Sequence, residues 1–91
     1  MKKEYFLKPI YDSKPSFYNK AVVYEDGDIK KLKSYETIVS IITGDTVEVL
    51  AGAHKKALGC TTLRHIKEFL KQNGYKAETK AQIIADYVKE A

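Results

Sequence analysis

Two glycine–aspartate pairs leave the middle of this chain little choice of fold. Asp26-Gly27-Asp28 separates residues 21–25 from 29–35, and Gly44-Asp45 separates 37–43 from 46–50. The flanking runs are rich in Val, Ile, Thr and Tyr, which suit a pleated, half-buried surface. Connections this short are hairpin links, whereas a parallel pairing needs a long crossover, so neighbouring runs are expected to pair antiparallel. Asp-Gly also favours a type I′ turn, in which both central residues take positive φ. The β-branched run containing Ile38, Val39, Ile41 and Ile42 is expected to be a central strand buried on both faces. Residues 21–50 therefore read as a meander of three or four antiparallel strands.

Upstream, Tyr5, Phe6, Leu7 and Ile10 are mixed with lysines, and Pro9 argues against a central strand. An extended arm or short edge strand is expected there. Residues 11–20 carry the turn formers of an ordered loop, anchored by Phe17 and Tyr18.

Downstream, residues 61–75 form the best-defined helix of the chain. Leu63, Ile66, Phe69 and Leu70 recur on one face, and Thr61 or Thr62 can cap its start. Gly74 supplies the left-handed residue that ends a helix, with Tyr75 folding back on the last turn. A second helix starts near Thr79, which forms a capping box with Gln82 and is followed by an apolar face of Ala81, Ile83, Ile84, Tyr87 and Val88. Residues 51–60 read as a loop because glycines lie near both ends. The expected architecture is α+β, one domain over residues 1–91. It comprises an N-terminal arm and loop (1–20), an antiparallel sheet (21–50) and two amphipathic helices (61–91) packed on one face.

Charge is unevenly placed. The formal net charge is +4, yet residues 21–50 carry three lysines and six acids, whereas residues 51–76 carry six cations and one acid. Arg64, Lys67 and Lys71 form a stripe along one edge of the helix, and Lys55 and Lys56 precede it. Five such cations suit contact with nucleic-acid phosphates or an acidic protein surface. Arg64 stands alone among fifteen lysines, and a planar guanidinium recognises carboxylate or phosphate with a fixed geometry that lysine lacks.

Catalytic chemistry finds little support. Cys60 near a helix start, with His65 five residues on, suggests a thiol nucleophile. His65, however, falls on the polar side of the helix, and no third orienting group is evident. His54, Cys60 and His65 match no zinc spacing, so neither metal nor cofactor is expected. Asp26, Asp28 and Asp45 serve turns rather than acid–base work. The span 52–59 lacks the Lys-Ser/Thr of a phosphate loop. One cysteine, no long apolar run and no signal-peptide core point to a cytoplasmic protein without a membrane association.

Tyr11-Asp12-Ser13, Ser16-Phe17-Tyr18-Asn19-Lys20-Ala21, Ser34-Tyr35-Glu36-Thr37 and Thr61-Thr62-Leu63-Arg64-His65-Ile66-Lys67-Glu68-Phe69-Leu70 together carry a resemblance. Over residues 11–75 the chain resembles a family of small domains from phages and mobile elements of Gram-positive bacteria. That family supplies no activity, so no catalytic residue carries over. What the resemblance implies is a setting of phage–host conflict, including inhibition of CRISPR nucleases.

The expectation is thus a non-enzymatic binding protein, monomer or homodimer. It would inhibit a host defence nuclease, such as a CRISPR-Cas effector, by blocking a protein or nucleic-acid surface. The alternative is a small basic nucleic-acid-binding accessory protein using the same stripe.

Overall fold

The short connections are realised as hairpins, and the N-terminal arm takes the form of a short edge strand, the second of the two forms expected for it. The computed structural model describes residues 2–50 and 60–88. Five strands, β1 (Lys2–Phe6), β2 (Ala21–Asp26), β3 (Ile29–Ser34), β4 (Thr37–Thr43) and β5 (Thr46–Val49), form one antiparallel sheet in chain order. Two helices follow, α1 (Cys60–Gln72) and α2 (Lys80–Tyr87), so the fold is α+β. The three or four strands expected become five because β1 pairs with β2 from Lys2↔Asp26 to Phe6↔Val22. Pro9 lies beyond this ladder, where its missing N–H removes no strand hydrogen bond.

Register also corrects the turn type. Asp26 pairs with Ile29, so Gly27 is the first central residue and Asp28 the second. Gly27 takes φ 63 and Gly44 takes φ 57, while neither Asp28 nor Asp45 is positive. That is the sign pattern of a type II′ turn, which places glycine first. The third hairpin, Tyr35-Glu36, has no glycine. Tyr35 occupies φ 57, a left-handed conformation that costs a side-chain-bearing residue about 1–2 kcal/mol. Its N–H donates to the Lys20 carbonyl at 2.8 Å, which holds it there.

Alternation divides the sheet into two faces. Val23, Leu32 and Val49 point inward and are buried with Ile66, Phe69 and Leu70 of α1 and Ile83 of α2, and Leu7 and Phe17 join them from the β1–β2 connection. Val39 is also buried, at the place where the β3–β4 register shifts. Ile38 and Ile41 point outward and are only half-buried. The expectation that β4 is covered on both faces is therefore corrected: among the described residues, both helices pack on the inner face alone.

Helix α1 begins at Cys60, so Thr61 and Thr62 lie inside its first turn instead of capping it. Thr62 instead meets the Ser34 hydroxyl at 3.2 Å. Its C-terminus follows expectation. Gly74 takes φ 84, and its N–H donates to Lys71 at 3.0 Å while Tyr75 donates to Leu70 at 2.9 Å. Those two bonds make a Schellman motif. Lys30 on β3 donates to Asn73 Oδ1 at 2.7 Å, tying this helix end to the sheet.

Helix α2 is capped by Thr79 as expected, but the return bond of the capping box falls on the residue before the cap. Thr79 Oγ1 accepts from the Gln82 N–H at 3.1 Å, and Gln82 Oε1 accepts from the Glu78 N–H at 2.7 Å. Its apolar face is narrower than expected: Ile83 is fully buried, but Ile84 is 37% exposed and Ala81 is exposed. Val88 then pairs in parallel with Val49 at the free edge of β5. Among the described residues, no helix is long and apolar enough to cross a membrane.

Candidate functional site

The edge of α1 that carries Arg64, Lys67 and Lys71 also carries the only acid of residues 51–76, Glu68. Residues three and four apart share a helix face, so Glu68 lies one turn from both Arg64 and Gln72. Glu68 is buried at 1% exposure. A buried carboxylate must be paired or fully hydrogen-bonded, and the β1–β2 connection supplies what is needed. The N–H groups of Tyr11 and Asp12 each donate to Glu68 Oε1 at 3.0 Å, and Tyr11 also reaches Oε2 at 3.2 Å. Gln72 Nε2 donates to Glu68 Oε2 at 2.6 Å and to the Lys8 carbonyl at 2.7 Å. One helix side chain thus fastens a segment that lies 56 and 57 residues earlier in the chain.

Arg64 completes the attachment. Its Nη1 donates to Asp12 Oδ1 at 2.9 Å, and the same oxygen accepts from the Lys14 N–H at 2.9 Å. The guanidinium is therefore engaged within the molecule and not simply presented outward. Lys67 and Lys71 are half-buried and have no ion-pair partner among the described residues. Together with Tyr11, Asp12, Arg64 and Glu68 they line a shallow cavity of about 50 Å³. Of the five cations expected to act together, the structure brings Arg64, Lys67 and Lys71 to one place; Lys55 and Lys56 lie outside the described residues. So do His54 and the rest of the 51–59 span, although the Cys60 backbone opens α1.

His65 departs from the sequence reading. The helical wheel puts it on the polar side, yet it is buried at 1% exposure, because the β1–β2 connection folds over that side. Phe17 from that connection meets the imidazole edge-on, ring centres 4.7 Å apart, and Tyr35 lies at 5.9 Å. Nδ1 is 2.8 Å from the Ser34 hydroxyl, whereas Nε2 is buried without a hydrogen-bond partner among the described residues. Burial pushes the His65 pKa below its ordinary value, and nearby Asp12 offsets this only in part. Ser34 and His65 have the spacing of a nucleophile and its base, but both are sealed beneath Phe17 and Tyr35. Their geometry holds β3 to α1. Among the described residues, no three His, Cys, Asp or Glu side chains cluster as a metal site.

Sequence reasoning missed Tyr11, Asp12 and Glu68 as parts of this site. Glu68 did carry a signal, as the one acid among six cations. Asp12 carried none, since its partner lies 52 residues away.

Fold and site together define a small α+β protein with a helix edge that displays cations from a rigid mount. The chain belongs to DUF8033, a family of unknown function whose model matches residues 5–85. No curated protein and no solved structure matches it.

Proposed function

We propose that the protein is a non-enzymatic binding protein that presents Lys67 and Lys71, beside Tyr11 and Arg64, to an anionic surface of its target. The observation that carries this reading is the rigid attachment of the helix edge by Glu68 and by the Arg64–Asp12 pair. A contact surface held in place before binding loses less freedom on association, which favours affinity. Two lysines without an ion-pair partner among the described residues and an exposed tyrosine in one patch suit carboxylates or phosphates with an apolar surface alongside.

In its particular form, the reading is inhibition of a host defence nuclease, such as a CRISPR-Cas effector, in the bacterial cytoplasm, by a phage or mobile-element protein. That form rests on the resemblance read in the sequence of residues 11–75; the family to which the chain belongs is itself of unknown function. The test is a plasmid-interference assay with wild type and a K67E/K71E variant. Protection by wild type and its loss in the folded variant are expected; no protection by wild type refutes the inhibitory role.

The charge imbalance of residues 51–76 also favours a second reading, direct binding of nucleic acid. A mobility shift with bare DNA or RNA that weakens steeply with salt, and less steeply in K67E/K71E, would establish it over the first.

A further inference from the structure

The outer face of the sheet bears six apolar side chains, Phe6, Val22, Tyr24, Ile29, Ile38 and Ile41, and among the described residues no element covers them. Phe6 is 51% exposed and Ile29 is 38% exposed. Charges on this face balance, with Lys2, Lys31 and Lys33 against Glu4, Asp26 and Glu48, so it offers no field for a polyanion. Their order across the strands is more informative. The register sets Lys31, Ile41 and Glu48 side by side on β3, β4 and β5. Read across β4, the row is cation, apolar, anion. Neither Lys31 nor Glu48 has an ion-pair partner among the described residues.

A row of opposite charges about an apolar centre is self-complementary under a two-fold axis. The geometry points to a second copy of this chain as the occupant of the face, with the axis running parallel to β4. Ile38 and Ile41 then meet their own counterparts, as an isologous interface requires. Lys31 of each copy lies over Glu48 of the other. Packed sheets sit about 10 Å apart, within the combined reach of a lysine and a glutamate. Glu4, Tyr24 and Lys31 form a similar row about β2, but an axis there sets Asp26 against Asp26. The β4 axis sets Thr43 against Thr43 and, among the described residues, opposes no like charges. Overlap of about three strands is smaller than the roughly 800 Å² per partner of a standard interface, so the dimer is weak, with a Kd between about 10 µM and 1 mM.

Sedimentation equilibrium up to about 1 mM tests this arrangement, and that limit follows from the expected Kd. Wild type should pass from monomer to dimer. K31E or E48K alone should weaken the dimer about tenfold or more, because the axis turns each substitution into two like-charge contacts. K31E/E48K should return to within about threefold of wild type, while E4K should leave the dimer unchanged. Thermal melting of each variant as a monomer confirms that it folds. Three results would overturn the inference: a wild type monomeric throughout, a dimer indifferent to both single reversals, or a double variant that does not recover.

Discussion

Replacing Glu68 by leucine removes the acceptor that joins the β1–β2 connection to α1 while nearly preserving side-chain volume. Two backbone N–H groups, Tyr11 and Asp12, lose their partner, and Gln72 keeps only the Lys8 carbonyl. Hydrogen bonds to a charged group contribute about 1.5–3 kcal/mol each. Tyr11 is exposed, so its neighbourhood can rehydrate, and the lower end applies to both backbone bonds. Leucine returns part of the loss, since burying an alkyl group avoids the desolvation of a carboxylate. The expected net loss is about 2–3 kcal/mol, against the roughly 5–13 kcal/mol typical of a chain this long. Urea unfolding should show the midpoint falling with little change in slope, and Tm should fall by about 10–20 °C. Chymotrypsin should cut after the exposed Tyr11 in the variant before the rest of the chain opens. A loss below about 0.5 kcal/mol would refute the reasoning, because so small an effect is that of an ordinary surface substitution.

Three further outcomes follow from single residues. Phe69→Ala, at a site buried to 1% exposure, should cost about 3–5 kcal/mol in the same unfolding measurement. For His65, the folded pKa lies below the unfolded value, so the unfolded chain binds the proton first on acidification. Stability is then full above about pH 6.5 and falls by up to about 1.4 kcal/mol per pH unit below it, until the folded pKa is reached. His65→Phe should flatten that slope between about pH 6.5 and 5, where carboxylates contribute little; an unchanged slope in urea titrations would rule this out. Tyr18 is highly exposed and sits at φ 53 as the first central residue of a turn closed by Lys20 N–H to Phe17 at 3.0 Å. Tyr18→Gly should therefore raise stability by about 0.5–1 kcal/mol, readable as a higher Tm.

What could be read from sequence was what depends on near neighbours. The Gly27 and Gly44 hairpins, the Gly74 helix end and the Thr79–Gln82 cap are decided within a few residues, and their positions were legible. Turn type at Gly27 was not, because it depends on whether Asp26 ends the strand or enters the loop. An edge strand near the N-terminus was one of the two forms expected there, but its partner was not legible: β1 finds β2 across a 14-residue connection (residues 7–20) whose course no local pattern reveals. His65 shows the same limit within a helix. Periodicity places it correctly on the wheel, but only Phe17, brought in from a distant segment, decides that this side is buried. The cation stripe was legible as a row of residues; the engagement of its one arginine by Asp12 was not.

Sheet order has a consequence for synthesis. Because the strands lie in the order in which they are translated, each new strand emerges beside an existing partner, and the ladder can grow during elongation. The inner face has no such advantage. Val23, Leu32 and Val49 stay uncovered until α1 has left the ribosome, and the segment around Tyr11 waits just as long for Glu68. A nascent chain arrested before α1 would thus present a paired sheet with a bare apolar side and an unfastened N-terminal loop, a form suited to capture by a chaperone. Completion of one late helix closes both defects at once.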